Sequence, residues 1–301
     1  MATPRNSLFV RIKTALPKIR WLDYGLALLQ FRKDHGRLPR MSGGGLNDAF
    51  FFIKTSDEIL DPVRVLVSDK ALVKQYVKAK LGDAYNVGTI AVIESLDDAL
   101  AFAYPDSCVI KPTHMSGEVM FRHEASPVDF DAVRRWFGTN YYFSTREANY
   151  RYLRPRLIVE PYIFGQQALE DYKIFCLHGR PVTVQVDFDR HTNHTQNFYT
   201  PDWKLLPFSV GCPIGPGRPR PGNLSELIAA AAKLSEDFSL VRIDLYTDGQ
   251  AILLGEITNC HQGARGSFVP PEGEAIMTRL LFGDAGFSPA LLRERPAWRQ
   301  T

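Results

Sequence analysis

The chain has 301 residues, 45% of them hydrophobic, with 36 Lys and Arg against 33 Asp and Glu. That is enough to bury a sizeable core, and a net charge of +3 gives no case for a nucleic-acid binder that works by neutralising phosphates; small anions are the expected partners. Four widely spaced cysteines, Cys108, Cys176, Cys212 and Cys260, form no CxxC pair, which argues against a zinc knuckle or disulfide framework and for a reducing, cytoplasmic setting.

No run approaches the roughly 18 to 20 apolar residues of a spanning helix, and the N-terminus lacks an apolar core followed by a small-residue cleavage site. Residues 1–20 carry Arg5, Arg11, Lys13, Lys18 and Arg20 with no acid, interleaved with Leu8, Phe9, Val10, Ile12, Leu16 and Ile19. This reads as a basic lead into a packed helix, with peripheral contact at the inner face of an anionic membrane as the alternative. From Ile19 to Arg32 the apolar density predicts a helix, stopped by His35-Gly36 and Pro39. Gly43-Gly44-Gly45 reads as a flexible joint, since no lysine and helix start follow it at phosphate-loop spacing. A second helix is expected from Asp69, its N-cap, to Leu81, with Gly82 as its stop.

Ser107 to Lys111 predicts a short buried strand, followed by a polar turn of small residues through Gly117 that is able to bring backbone N–H groups to a phosphate. Phe130 to Phe137 predicts a short helix, while Tyr141 to Tyr152 shows no clear period. Leu157 to Glu160 is an apolar strand, and Tyr172 to Leu177 with Val182 to Val186 predicts a hairpin over His178-Gly179-Arg180-Pro181. Cys212 to Gly222 is a Pro- and Gly-rich loop, and Asn223 with Glu226 makes a capping-box-like start for a helix ending near Phe238. Val241 to Tyr246 and Ala251 to Glu256 predict a last hairpin over Asp248-Gly249.

The chemistry concentrates in that hairpin. Side chains alternate along a strand, so Asp244 and Glu256 share a face only when their pairing indices sum to an even number. A three-residue loop of Asp248, Gly249 and Gln250 meets that condition and puts Arg242 on the same face. Asp244 stands inside an apolar run and Glu256 ends one, where an unpaired charge is costly. They are therefore expected to hold magnesium with the Asn259 amide nearby, the alternative being ordinary polar strand ends in a half-exposed hairpin. Asp187-Phe188-Asp189 offers a competing cation site of the kind metal-dependent glycosyltransferases use, but residues 1–68 show no alternating series of strands and helices to go with it. His191 and His194 lack an evident third partner for zinc, and Cys260-His261 reads as pocket lining that binds nothing.

An ordered set of segments carries a resemblance. It comprises Ser68-Asp69-Lys70 with Val73-Lys74-Gln75-Tyr76-Val77, Val109-Ile110-Lys111-Pro112-Thr113-His114-Met115-Ser116-Gly117, and Ile158-Val159-Glu160-Pro161-Tyr162-Ile163. Asp171-Tyr172-Lys173-Ile174-Phe175, Val241-Arg242-Ile243-Asp244-Leu245-Tyr246 and Gly255-Glu256-Ile257-Thr258 follow. Over about residues 60–283 the chain resembles the TupA-like branch of the ATP-grasp enzymes, associated with teichuronopeptide and cell-surface polysaccharide synthesis.

The resemblance implies an α+β fold in which two lobes enclose ATP. It implies a helical region over 1–66, a smaller lobe over 67–157, a larger lobe over 158–285 and a tail over 286–301. By the same analogy Lys70 and Lys111 touch phosphates, Thr113, Ser116 and Gly117 belong to the loop over them, and Glu160, Pro161, Tyr162 and Ile163 hold adenine. Asp171 and Lys173 flank the nucleotide, Asp244, Glu256 and Asn259 bind Mg2+, and Arg190 with Arg242 faces a reacting acyl phosphate. Relatives commonly carry Glu-x-Asn as the last metal ligands; here Thr258 holds the asparagine position and Asn259 follows. The implied activity is ATP-dependent joining of a carboxylate to an amine, with a uronic-acid glycan or an amino acid as the expected substrate. A non-catalytic nucleotide- or glycan-binding module is the remaining alternative.

Overall fold

The computed structural model describes residues 13–166, 171–188 and 194–293. The first helix, α1 (Arg20–His35), runs until Gly36, whose φ of 67° is left-handed and whose N–H closes onto the Arg32 carbonyl. The triple glycine that follows is a close crossing rather than a free joint. A Cβ on Gly44 would lie 2.5 Å from the Arg40 carbonyl, and the Gly44 backbone pairs with Phe287 at 2.7 and 3.2 Å. The buried Asp48 fastens the start of α2 (Leu46–Thr55), accepting from the Gly45 and Arg40 N–H groups and both arms of Arg37.

Next come α3 (Pro62–Val67) and α4 (Val73–Leu81). The helix expected from Asp69 begins only at Val73, because Asp69 spends its side chain on the preceding turn, accepting from the Ala71 and Leu72 N–H groups at 2.8 and 3.1 Å. A four-stranded antiparallel sheet follows, built from β1 (Ala91–Ile93), β2 (Cys108–Pro112), β3 (Met120–Arg122) and β4 (Leu157–Glu160) in the order β1-β4-β2-β3. Helices α5 (Leu96–Ala101) and α6 (Phe130–Phe137) cover it, with Ala99, Val133 and Trp136 against Ile110 and Val159. The stretch without a clear period contains the short α7 (Tyr142–Thr145). Strand β4 completes this sheet, so the lobe boundary expected at 157/158 falls inside it.

The larger sheet comprises β5 (Asp171–Leu177), β6 (Arg180–Phe188), β7 (Thr195–Tyr199), β8 (Leu205–Leu206), β10 (Leu240–Thr247) and β11 (Ile252–Thr258), ordered β11-β10-β5-β6-β7-β8. Strands β9 (Ser209–Val210) and β12 (Phe268–Val269) form a separate ribbon, and α8 (Leu224–Leu234), α9 (Gly273–Phe282) and α10 (Pro289–Arg293) complete the fold. The β5–β6 turn is tighter than expected: Leu177 pairs with Arg180, leaving only His178 and Gly179 at φ 50° and 78°, the left-handed pair that a two-residue hairpin requires. Helix α8 starts at Leu224, but Asn223 turns its amide to the Thr247 hydroxyl at 2.7 Å instead of capping it.

Alternation decides what each face of the larger sheet does. One face presents Tyr172, Ile174, Val184, Val186, Val241, Ile243 and Leu245 to α8 and to Val73 and Val77 of α4. The other packs Phe175, Leu177 and Phe198 under α2 and α9, through Phe50, Ile53, Phe208 and Met277. Beyond those aromatics the same face turns polar, with Lys173, Gln185, Asp187, Arg242 and Asp244 all buried. Strands buried on both sides carry polar residues only where they pair with one another. No helix among the described residues is long and apolar enough to cross a membrane.

Candidate functional site

The β10–β11 ribbon aims the carboxylates, and it does so by a different route from the one its sequence suggests. Thr247 pairs with Ile252, so four residues link the strands, a count that would put Asp244 and Glu256 on opposite faces. A bulge at Gly255 restores the register: Leu245 pairs with Leu254 but Asp244 pairs with Glu256. Glycine fits there without crowding, whereas a Cβ would lie 2.8 Å from Cε2 of Tyr246 and 3.3 Å from the Asp244 carbonyl.

Arg242 organises the cluster this creates. Its Nε and one terminal nitrogen donate to the two oxygens of Asp244, both at 2.6 Å, and that same nitrogen reaches Glu256 Oε1 at 2.9 Å and the Thr258 hydroxyl at 3.0 Å. The other terminal nitrogen donates to Nδ1 of the buried His261 at 2.5 Å. A guanidinium only donates, so His261 is the neutral tautomer with its proton on Nε2; burial and the adjacent Arg242 hold its pKa well below the usual range. Lys173 lies across from Asp244 on β5, ion-pairing with Asp171, with Asp187 at 3.3 Å and with Asp244 at 3.5 Å. Gln185 and Gln196 also donate to Asp187, at 3.2 and 2.7 Å.

These side chains hold four carboxylates against two cations, an excess of two negative charges in a poorly solvated place. The consequence shows in Asp244, which burial pushes up to about 6 despite Arg242 and Lys173. Glu256 is opposite in sign: burial favours its neutral form, but Arg242, Thr258, Lys70 and Lys173 outweigh that and lower its pKa. Its side chain stays 41% exposed and engages Arg242 and Thr258 through Oε1.

The facing wall is cationic. Lys70 follows α3 and donates to the Pro112 and Met115 carbonyls at the end of β2; burial, with Lys111 nearby, lowers its pKa to about 8, and Glu256 is the strongest influence raising it. Lys111 on β2 meets Glu160 Oε2 at 2.8 Å, and Lys74 on α4 meets Oε1 at 2.6 Å. Burial alone would raise Glu160, but these two lysines bring it below the ordinary glutamate value. Three lysines thus stand with one carboxylate, leaving two positive charges opposite the two negative ones.

The remaining expected residues divide. Ser116 and Gly117 lie in the turn after β2, where Gly117 takes φ 78° with open space around it. Thr113 is fully buried and donates its hydroxyl to Asp69 at 2.8 Å, so it straps the turn. Pro161, Tyr162 and Ile163 leave β4; Tyr162 stacks on His123 at 4.5 Å and on Phe121 at 6.1 Å. Asn259 turns away from the carboxylates, with Oδ1 accepting from Arg64 at 3.0 Å and Nδ2 donating to the Arg64 carbonyl and Ser68 hydroxyl. Thr258 stands beside Glu256 instead. Asp189 and Arg190 lie outside the described residues. Sequence reasoning missed Lys74, which sits one helical turn after Lys70, and gave His261 no partner.

A family model described as TupA-like ATPgrasp matches residues 53–281. The chain belongs to the TupA-like ATP-grasp family. As a member it is an ATP-dependent ligase with the α+β ATP-grasp fold. Among solved structures it is similar to D-alanine–D-alanine ligase from Bacillus anthracis, at 13% identity over 89% of this chain and 74% of that one, with a TM-score of 0.42. The corresponding ligase from Helicobacter pylori is 15% identical over 77% and 62%, with a TM-score of 0.39. The ATP-grasp ligase PsnB, complexed with minimal precursor, Mg and ADP, is 12% identical over 66% and 52%, with a TM-score of 0.35. The chain spans less than two thirds of the length of the last two. No curated protein matches it in sequence.

Among the described residues no group of three or more His, Cys, Asp and Glu is placed to hold a metal ion. Magnesium does not need one, because it keeps several waters and takes one or two carboxylates together with phosphate oxygens. The donor set of this TupA-like ATP-grasp ligase fits that pattern: two carboxylates paired across one ribbon, in a cluster short of two positive charges.

Proposed function

We propose that the triphosphate of ATP lies between the Lys70, Lys74 and Lys111 wall and the Arg242–Asp244–Glu256 cluster. Asp244 and Glu256 would hold Mg2+, which when bound would supply neutralisation of the phosphate charge during the transfer. Pro161, Tyr162 and Ile163 supply backbone groups and a stacked aromatic edge for adenine. The observation that supports this reading best is the matched charge: a surplus of two positive charges faces a deficit of two, which suits a polyanion and its divalent counter-ion.

In the reaction, a carboxylate oxygen of the acid substrate attacks the γ-phosphorus and ADP leaves, giving an acyl phosphate. An amine nitrogen then attacks the acyl carbon, phosphate departs, and the ammonium proton is lost to solvent. Arg242, fixed on four partners, would stabilise charge on the acyl phosphate. The acid is a uronic-acid glycan or an amino acid, the product a modified cell-surface glycan, and the setting the cytoplasmic side of the membrane. ADP release measured with paired candidate acids and amines tests this. It should need both substrates and Mg2+, and Lys111→Ala or Asp244→Asn should abolish it in a folded protein. Undiminished turnover in either variant would remove the assignment.

A further inference from the structure

The outward face of α1 is only partly covered, Tyr24 meeting the Phe51 ring at 5.8 Å and Leu28 packing on the core, and what it leaves exposed is unusual for a surface in water. Asp23, Leu26, Gln30 and Phe31 turn inward, while Trp21, Tyr24, Leu28 and Arg32 follow one another at helical spacing on the other side. Trp21 is 70% exposed and Leu29 62%. The patch extends onto α7, where Tyr142 donates to Asp23 and the Phe143 ring lies 4.6 Å from Lys18 Nζ; beyond that helix, Arg151 lies over both Tyr142 and the 78% exposed Tyr152. A cluster of this kind marks an interaction surface.

Charge indicates what covers it. Residues 1–56 hold ten Lys and Arg against three Asp, while the rest of the chain holds 26 against 30, so the positive surplus lies in the N-terminal part of the sequence. Two of these acids are engaged outside the segment, Asp23 by Arg146 and Asp34 by Arg265, while Asp48 holds Arg37, Glu147 faces Lys54 and Asp57 holds Arg20. Lys18 borders the Phe143 ring, and Arg32 and Lys33 at the end of α1 are exposed. Aromatic rings with an apolar body and a wet rim, bordered by lysine and arginine, match the interface of an anionic bilayer. A second copy of this chain would bring the same positive pole against itself.

We infer that the outer face of α1, with Phe143 and Tyr152, docks this protein on an anionic lipid surface. The contact does not depend on the ligase chemistry, but it has a direction. His35 at the end of α1 bonds the Ala264 carbonyl at 2.9 Å, in the turn that carries His261, so docking sets the reaction cluster at a fixed orientation to the bilayer.

The test is co-sedimentation of the full chain with phosphatidylglycerol–phosphatidylcholine vesicles and with phosphatidylcholine vesicles alone, at low and high salt. The chain should bind only the anionic vesicles and be released by salt. Arg32→Gln with Lys33→Gln should weaken partition roughly twentyfold, and Trp21→Ser with Leu29→Ser at least as much, with ATP turnover in solution unchanged. No binding to anionic vesicles would overturn the inference. So would binding that survives both pairs of substitutions, which would assign it to residues 1–12, or self-association in sedimentation velocity that Trp21→Ser abolishes, which would assign the face to a second copy.

Discussion

Gly255→Ala tests the bulge that aligns Asp244 with Glu256. The new Cβ would lie 2.8 and 3.1 Å from Cε2 and Cζ of Tyr246 and 3.3 Å from the Asp244 carbonyl, so the ring must move by several tenths of an ångström or the ribbon must shift. Overpacking of this kind costs about 1–3 kcal/mol, against which Ala for Gly in an otherwise compatible strand recovers about 0.4–1 kcal/mol from the unfolded chain. The net expectation is a loss of about 1–2 kcal/mol, read as a lower urea midpoint with an unchanged m-value. Turnover should fall further than stability, because the ribbon escapes the clash by sliding towards the register in which Asp244 and Glu256 face apart. Removing the ring supplies the control. In a Tyr246→Ser background the Gly255→Ala change should become neutral or stabilising, giving a coupling of about 1–2 kcal/mol in a double-mutant cycle. A penalty that persists without the ring, or no penalty with it, would show that the bulge is held by something other than this contact.

Three further outcomes follow from the site. Lys70 sits at about 8, so kcat/KM for ATP should fall as pH rises through that value in the free enzyme, and Lys70→Arg, which keeps its charge, should flatten that limb; an unchanged profile in the variant would remove Lys70 from the phosphates. Glu160 is depressed below its unfolded value, so its contribution to stability is present above about pH 4.5 and is lost as pH falls through its folded pKa. Lys74→Met should therefore cost about 1–3 kcal/mol at neutral pH, measured by urea unfolding, and progressively less as pH falls through the folded pKa of Glu160; a cost that stays constant down the acid limb would assign the effect to packing. His261→Asn, whose Oδ1 is able to accept from Arg242 as Nδ1 does, should retain most of kcat, while His261→Leu should lower kcat at least tenfold with little change in KM for ATP. Equal losses in the two variants would reduce His261 to a packing residue.

The pattern of elements was legible from local signals. Gly36 and Gly82 closed helices where a left-handed or otherwise non-helical residue was needed, and apolar runs on either side of His178-Gly179 and Asp248-Gly249 announced hairpins. Register was not legible, because it depends on loop length and bulges together, and a single residue reverses the face of every side chain beyond it. Asn223 resembled a helix cap in sequence, yet Thr247 from a distant strand claimed its amide. Lys74 and His261 were obscured for the same reason: one acts only once α4 docks beside β4, the other only once the turn after β11 folds over Phe175, 5.1 Å from its ring. Asn259, chosen for its place after Glu256, has Arg64 as its partner in space.

Asp69 has a mechanical consequence. It is almost wholly buried, and it holds Thr113 beyond β2, Arg156 ahead of β4 and the backbone next to Lys70, all from one carboxylate. The small sheet and the chain leading into α4 are therefore pinned at a point behind the cationic wall. Admitting a nucleotide by drawing the two sheets straight apart would tear that pin, whereas a swing about it would leave every one of its bonds intact. Any opening between the two sheets would then turn about a fixed fulcrum, and the turn through Ser116 and Gly117 would stay close to it, three residues beyond Thr113 and held through the Met115 carbonyl by Lys70.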